Sequence, residues 1–148
     1  MHPYPHVYRV SATGGASGAV ATGAAELPEI AVAPPVEFDG PGGHWSPETL
    51  LVAAVADCFV LSFRGVARAS RFEWQSLHCE VEGVLDKAAG VAQFTEFRTT
   101  VTLKVAAGTD AAKAHKLLET AERVCLIANS LKGARRLECQ VVAGSSSA

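Results

Sequence analysis

The sequence carries little that would tie it to a large charged partner. Lys and Arg total 13 against 15 Asp and Glu in 148 residues, a formal net charge of −2. That leaves no basic field to hold a nucleic acid or an anionic membrane. Aromatic residues make up only 7% of the chain. No basic stretch followed by an apolar run follows Met1-His2-Pro3-Tyr4-Pro5-His6, so a secretory leader is not expected and the localisation reads as cytoplasmic. There is no G-x-G-x-x-G, no phosphate loop and no G-x-S-x-G elbow, which removes motif support for common nucleotide and serine-hydrolase sites. The four cysteines, Cys58, Cys79, Cys125 and Cys139, form no C-x-x-C pair. A zinc knuckle is excluded as a motif, and the cysteines read as thiols rather than as a disulfide scaffold. His2, His6, His78 and His115 have no ligand spacing.

What is present is an apolar chain, 49% hydrophobic, long enough for one globular domain with a packed core. That domain is expected over residues 1–143, with a disordered Gly/Ser tail at 144–148. The first third is cut by Gly and Pro into short β-prone pieces. Val7–Val10, Gly18–Thr22 and Ile30–Phe38, the last interrupted by Pro34-Pro35, read as strands of an antiparallel meander. The Gly-rich stretch Asp39–Gly43 reads as a loop.

A helix follows with a legible start. Ser46 is a good N-cap, Pro47 suits the first helical position, and Glu48 complements the positive end of the dipole. The body from Leu50 to Phe63 is apolar almost all round, which fits a helix buried on most sides. A membrane span is the rival reading. It would need about 20 apolar residues, whereas this run is broken by Asp57 and closed by Arg64, Arg68 and Arg71.

Two alternating segments come next. Leu77, Cys79, Val81 and Leu85 share one face of the first; Phe97, Thr99, Val101, Leu103 and Val105 share one face of the second. Asp86–Gly90 between them reads as a turn, so the two should form an antiparallel hairpin. Thr109 or Asp110 can cap a helix from Ala111 to about Val124. A short piece, Cys125–Leu131, precedes Gly133, and Leu137–Val142 reads as a last strand. Strands, long helix, strands, helix and strand make an α+β pattern.

Among candidate reactive groups, Cys79 and Cys139 alternate in register with Leu and Val and read as core. Cys58 in its apolar helix reads first as a small hydrophobe. Cys125 differs, because it stands where one helical pattern stops and another starts. Backbone N–H groups at such a place can lower a thiol pKa. Glu48 reads first as a dipole complement; it lies ten residues from Cys58, close to three helical turns, on the same side but about 15 Å away along the axis. His44 and Trp45 stand in the Gly-rich loop before the N-cap and could form a pocket wall or have no role.

The run from Ser46 to Phe59 resembles the N-P-E-x-L-x-x-A-x-x-x-C helix of the OsmC/Ohr family of thiol peroxidases. Cys125-Leu126-Ile127-Ala128-Asn129-Ser130-Leu131 is similar to that family's second-cysteine segment, and Val81–Asp86 and Phe94–Phe97 also look like it. The resemblance covers about Tyr8 to Val142. It implies an OsmC/Ohr-like α+β fold, with curved antiparallel sheets and long central helices in an intertwined homodimer, and an organic hydroperoxide as substrate. Cys58 would be the peroxidatic thiol and Cys125 its resolving partner, with Glu48 in the catalytic set. By their own position and apolar character, His44, Trp45 and Phe59 read as substrate contacts. The disulfide would be reduced by a dithiol donor such as a lipoylated protein, with no metal or flavin cofactor.

One departure bears on the chemistry. The family's active-site arginine has no counterpart: the matching positions hold Ala16 and Glu37, and no Arg lies between Arg9 and Arg64. A cation would have to come from Arg9, a later arginine, His44 or a partner subunit. Without one, burial in the apolar helix should raise the Cys58 pKa and slow its reaction. The Pro usual after the second cysteine is Leu126 here. Alternative functions follow from the same residues: a redox sensor without efficient turnover, or a binder of small apolar ligands in a groove between subunits lined by Trp45, Phe59 and Phe63.

Overall fold

The computed structural model describes residues 1–144, so residues 145–148 of the expected tail lie outside it. Two compact units can be distinguished, Met1–Leu51 and the chain from Val52 onward, and each is described by itself.

The first unit holds a three-stranded antiparallel meander, β1 (Ser11–Thr13), β2 (Val20–Gly23) and β3 (Ile30–Val32). The strand expected at Val7–Val10 does not form; those residues are exposed, and β1 lies immediately after them. The register Ser11↔Gly23 to Thr13↔Ala21 already uses β2 as far as Gly23, which leaves no partner for the earlier residues. The strand expected over Ile30–Phe38 stops at Val32. Pro34 and Pro35 cannot donate to a ladder, and a 3₁₀ turn at Val36–Phe38 follows. Helix α1 (Pro47–Ala69) then starts as its sequence predicts. Ser46 is buried, its Oγ accepts the Thr49 N–H at 3.1 Å, and the Thr49 hydroxyl accepts the Ser46 N–H at 2.8 Å. Both orphan donors are thereby satisfied in the reciprocal manner of a capping box.

The second unit contains strands β4 (Ser76–Ala88), β5 (Val91–Val105) and β6 (Ala134–Ala143), with α2 (Ala111–Val124) and the single turn α3 (Leu126–Asn129) between β5 and β6. β4 and β5 form the expected hairpin. Its loop is shorter than Asp86–Gly90: the strands run to Ala88 and from Val91, leaving Ala89 and Gly90 at φ 51° and 78°, the two positive φ values that a twist-matched two-residue hairpin requires. Asp110 caps α2 by accepting the Lys113 N–H at 3.1 Å.

The expectation of wholly antiparallel sheets needs one amendment. β6 pairs with β5 in parallel, from Glu96↔Ala134 to Val105↔Ala143. The helical segment between them is the crossover connection that parallel pairing demands. Glu96 on β5 faces both Arg98 and Arg136, which hold its carboxyl below the usual range.

The core of this unit lies between the sheet and the helices. Phe97, Thr99, Val101, Leu103 and Val105 are buried along β5, alternating with exposed Arg98, Thr100 and Lys104. Phe59, Phe63 and Ala67 of α1 and Ala114, Leu117, Leu118 and Ala121 of α2 pack in the same cluster. By length and composition α1 could cross a membrane; here its four-residue stripe Val55, Phe59, Phe63 and Ala67 is buried.

Candidate active site

α1 presents two different faces in the second unit. The stripe through Phe59 enters the core. One residue back, about 100° around the helix, Ala54, Asp57, Cys58, Leu61 and Ser62 line an open groove of about 520 Å³ whose other wall is Leu126 and Ile127 of α3. Leu61 and Leu126 are 59% and 65% exposed, so the groove is apolar and reachable from solvent.

Cys58 and Cys125 meet here. Both are free thiols, Cys58 partly exposed and Cys125 fully buried, each near enough to shift the other's ionisation. Cys125 ends α2 and caps α3 in an extended conformation, φ −63° and ψ 100°. The first N–H groups of a helix have no internal carbonyl to serve, and those of α3 bear on the sulfurs: the backbone at Ile127 and Leu126 lowers the Cys58 pKa and that at Ala128 lowers Cys125, while the Cys125 side chain makes no capping hydrogen bond to α3. The Ser62 hydroxyl, one turn along α1, lies 3.8 Å from Cys58 Sγ.

The electrostatic outcome reverses two expectations. Burial works to raise the Cys58 pKa, but hydrogen bonds from the Ile127 N–H, the Cys125 thiol, the Ser62 hydroxyl and the Leu126 N–H together bring it below its ordinary value. These principal donors are all neutral, so the thiolate is favoured here without an arginine. Cys125, whose place at a helix start suggests a lowered pKa, is instead pushed up to about 11. Burial dominates there, and the hydrogen bond it gives Cys58 and the charges of Cys58 and Glu122 add to it, against the single Ala128 N–H. The pair titrates as a unit: its first proton leaves from Cys58 and its second stays on Cys125. Burial also raises Cys79 and Cys139, to about 12 and about 11.

The other candidates lie elsewhere. Phe59 is 1% exposed in the core and does not line the groove; Phe63 is likewise buried. Leu61, Leu126 and Ile127 supply the apolar wall in their place. In the first unit, Glu48 is half-buried and lines an apolar groove of about 270 Å³ with Val20, Val32, Pro34, Pro35 and Phe38. His44 is exposed, its Nδ1 3.0 Å from the Gly42 carbonyl. Trp45 is 51% exposed, and its carbonyl accepts the Ala33 N–H at 2.9 Å. The α1 signal that points to Leu61 and Ser62 is helical spacing: Ala54, Cys58, Leu61 and Ser62 fall at i, i+4, i+7 and i+8 on one face. The Leu126 and Ile127 donors leave no such mark, because any non-proline residue supplies a backbone N–H.

Cys58, its pKa lowered, and Cys125, its pKa raised, act on each other's ionisation beside an apolar groove on an α+β scaffold. The OsmC-like protein family model matches residues 40–140, so the chain belongs to the OsmC/Ohr family. It is 33% identical over 109 residues to the uncharacterized protein YmaD of Bacillus subtilis (strain 168), covering 72% of this chain and 73% of that one. It is 31% identical over 126 residues to an organic hydroperoxide resistance protein of Xanthomonas axonopodis pv. citri (strain 306), covering 83% and 84%. A solved OsmC-like protein of unknown function from Vibrio cholerae has the same fold, with a TM-score of 0.84, 19% identity, and coverage of 92% of this chain and 100% of that one. The α+β reading and the family resemblance are thus borne out.

Proposed function

We propose that this protein reduces organic hydroperoxides through a Cys58–Cys125 thiol cycle, as a cytoplasmic homodimer. The observation that carries the reading is Cys58, its pKa lowered, lining an apolar groove whose other wall, Leu126 and Ile127, directly follows Cys125, a buried thiol that acts on its ionisation. The thiolate is the nucleophile toward peroxides, and the groove suits an alkyl group beside it.

In the first step the Cys58 thiolate attacks one oxygen of the hydroperoxide. The O–O bond breaks, the alkoxide leaves and takes a proton to become an alcohol, and Cys58 becomes a sulfenic acid. Cys125 sulfur then attacks Cys58 sulfur. The S–O bond breaks, the departing hydroxide takes the Cys125 proton to form water, and a disulfide remains. An external dithiol, such as a lipoylated protein, returns both thiols by exchange. The likeness to an organic hydroperoxide resistance protein supports this substrate class.

The test is peroxide consumption by the reduced chain with a dithiol donor, using cumene hydroperoxide. Turnover that is lost in Cys58→Ser supports the reading. Equal consumption by Cys58→Ser removes Cys58 from the chemistry. Intact thiols after excess peroxide replace the reading with a redox-inert, ligand-binding groove.

A further inference from the structure

We propose that Ser62 is a positioning residue for the reactive thiol, its hydroxyl donating a hydrogen bond that holds the negative charge on Cys58 Sγ. The inference rests on Cys58 being the reacting group, but concerns a residue four positions away that the cysteine motifs do not include.

Ser62 is partly buried on the groove face of α1, and its Oγ stands 3.8 Å from Cys58 Sγ, within hydrogen-bond reach of a large sulfur acceptor. A helical hydroxyl ordinarily turns back to the carbonyl four residues earlier. Thr120 and Ser130 do so, donating to Lys116 O at 2.9 Å and Leu126 O at 2.8 Å. Ser62 faces a sulfur. Residues four apart lie one above the other on a helix, so this donor is fixed by the same backbone that fixes Cys58. Leu126 and Ile127 of α3 form the opposite wall of the groove, while Ser62 stands on α1 itself, one turn from Cys58. With no charged donor among the principal groups acting on Cys58, each neutral donor carries a larger share of the stabilisation. The titratable groups facing Cys58 are Cys125, from the junction of α2 and α3, and Asp57, beside it on α1 in the same groove. Both are acids; neither can supply the positive charge that would make Ser62 redundant.

The experiment is the pH profile of Cys58 alkylation by iodoacetamide in the reduced full-length chain, read by peptide mapping, for wild type, Ser62→Ala and Ser62→Thr. Because alanine is the better helix former, Ser62→Ala should fold; far-UV circular dichroism checks this. The expected result is a profile displaced to higher pH in Ser62→Ala, with the rate at neutral pH about three- to tenfold lower, and a profile near wild type in Ser62→Thr, which keeps the hydroxyl. Coincident profiles for wild type and Ser62→Ala overturn the proposal, as does a displaced profile in Ser62→Thr equal to that of Ser62→Ala. The readout needs no peroxide: a displaced Ser62→Ala profile in a chain without peroxidase turnover upholds Ser62 and overturns the hydroperoxide reading. Turnover with coincident profiles does the reverse.

Discussion

Replacing Leu126 with proline removes one donor to Cys58 and very little else. Leu126 is the first residue of α3, where a missing N–H breaks no helical bond. Cys125 before it is already extended at φ −63° and ψ 100°, as the residue preceding a proline must be. The Leu126 side chain is 65% exposed, so its loss forfeits little burial. Leu126→Pro should therefore stay within about 1 kcal/mol of wild-type stability. A hydrogen bond to a charged acceptor contributes about 1.5–3 kcal/mol where it is well shielded. Leu126 makes the smallest favourable contribution among the donors named for Cys58, and the groove is open. A loss of about 0.7–1.4 kcal/mol is the reasonable share, which raises the Cys58 pKa and slows its alkylation at neutral pH about three- to tenfold. The assay is alkylation rate against pH, mapped to Cys58. Cys79, Cys125 and Cys139 stay protonated through this range, since they titrate at about 12, 11 and 11. A folded Leu126→Pro chain with an unmoved Cys58 profile would refute the claim that backbone N–H groups of α3 hold the thiolate. Loss of the fold would refute the placement of Leu126 at a first helical position.

Two further outcomes follow from the same packing. The raised thiols set the alkaline limit of stability: Cys79, Cys125 and Cys139 ionise near 9.0 in the unfolded chain but at about 12, 11 and 11 when folded. Their contribution is complete below pH 9 and is lost as pH rises through about 11 for Cys125 and Cys139 and about 12 for Cys79. Reversible thermal melts should fall steeply over that interval, and Cys79→Ala should lessen the slope; a flat profile would contradict it. A Cβ added at Gly83 on β4 would stand 2.6 Å from Val52 Cγ2 and 3.0 and 3.1 Å from Phe94 ring carbons. Gly83→Ala should thus cost about 1–3 kcal/mol by overpacking and lower Tm, with partial recovery in Gly83→Ala/Val52→Ala; an unchanged Tm would show that the strand yields more readily than this contact implies.

Local signals carried most of the architecture. Ser46-Pro47 marks the start of α1, and the strict alternation from Phe97 to Val105 marks the buried face of β5, because caps and pleats are dictated by neighbouring residues. The parallel docking of β6 has no local signature; it depends on how α2 and α3 return the chain to the sheet. The site divides the same way. Both cysteines stand out as residue types, and their segments carry the family likeness. The electrostatics are not legible in the sequence: burial without a cation would raise Cys58, and α3 taken alone aids the thiol that precedes it, Cys125. In the fold the backbone at two of its residues, Leu126 and Ile127, lowers the Cys58 pKa, and at only one, Ala128, that of Cys125. Phe59 is apolar and so suits a cleft wall, but one helical step past Cys58 turns it into the core.

The most direct test is mass spectrometry of the reduced protein after one equivalent of an alkyl hydroperoxide, with peptide mapping under non-reducing conditions. The account predicts a single Cys58–Cys125 disulfide formed within seconds, with Cys79 and Cys139 unmodified. Intact thiols, or slow oxidation spread over all four cysteines, would contradict it.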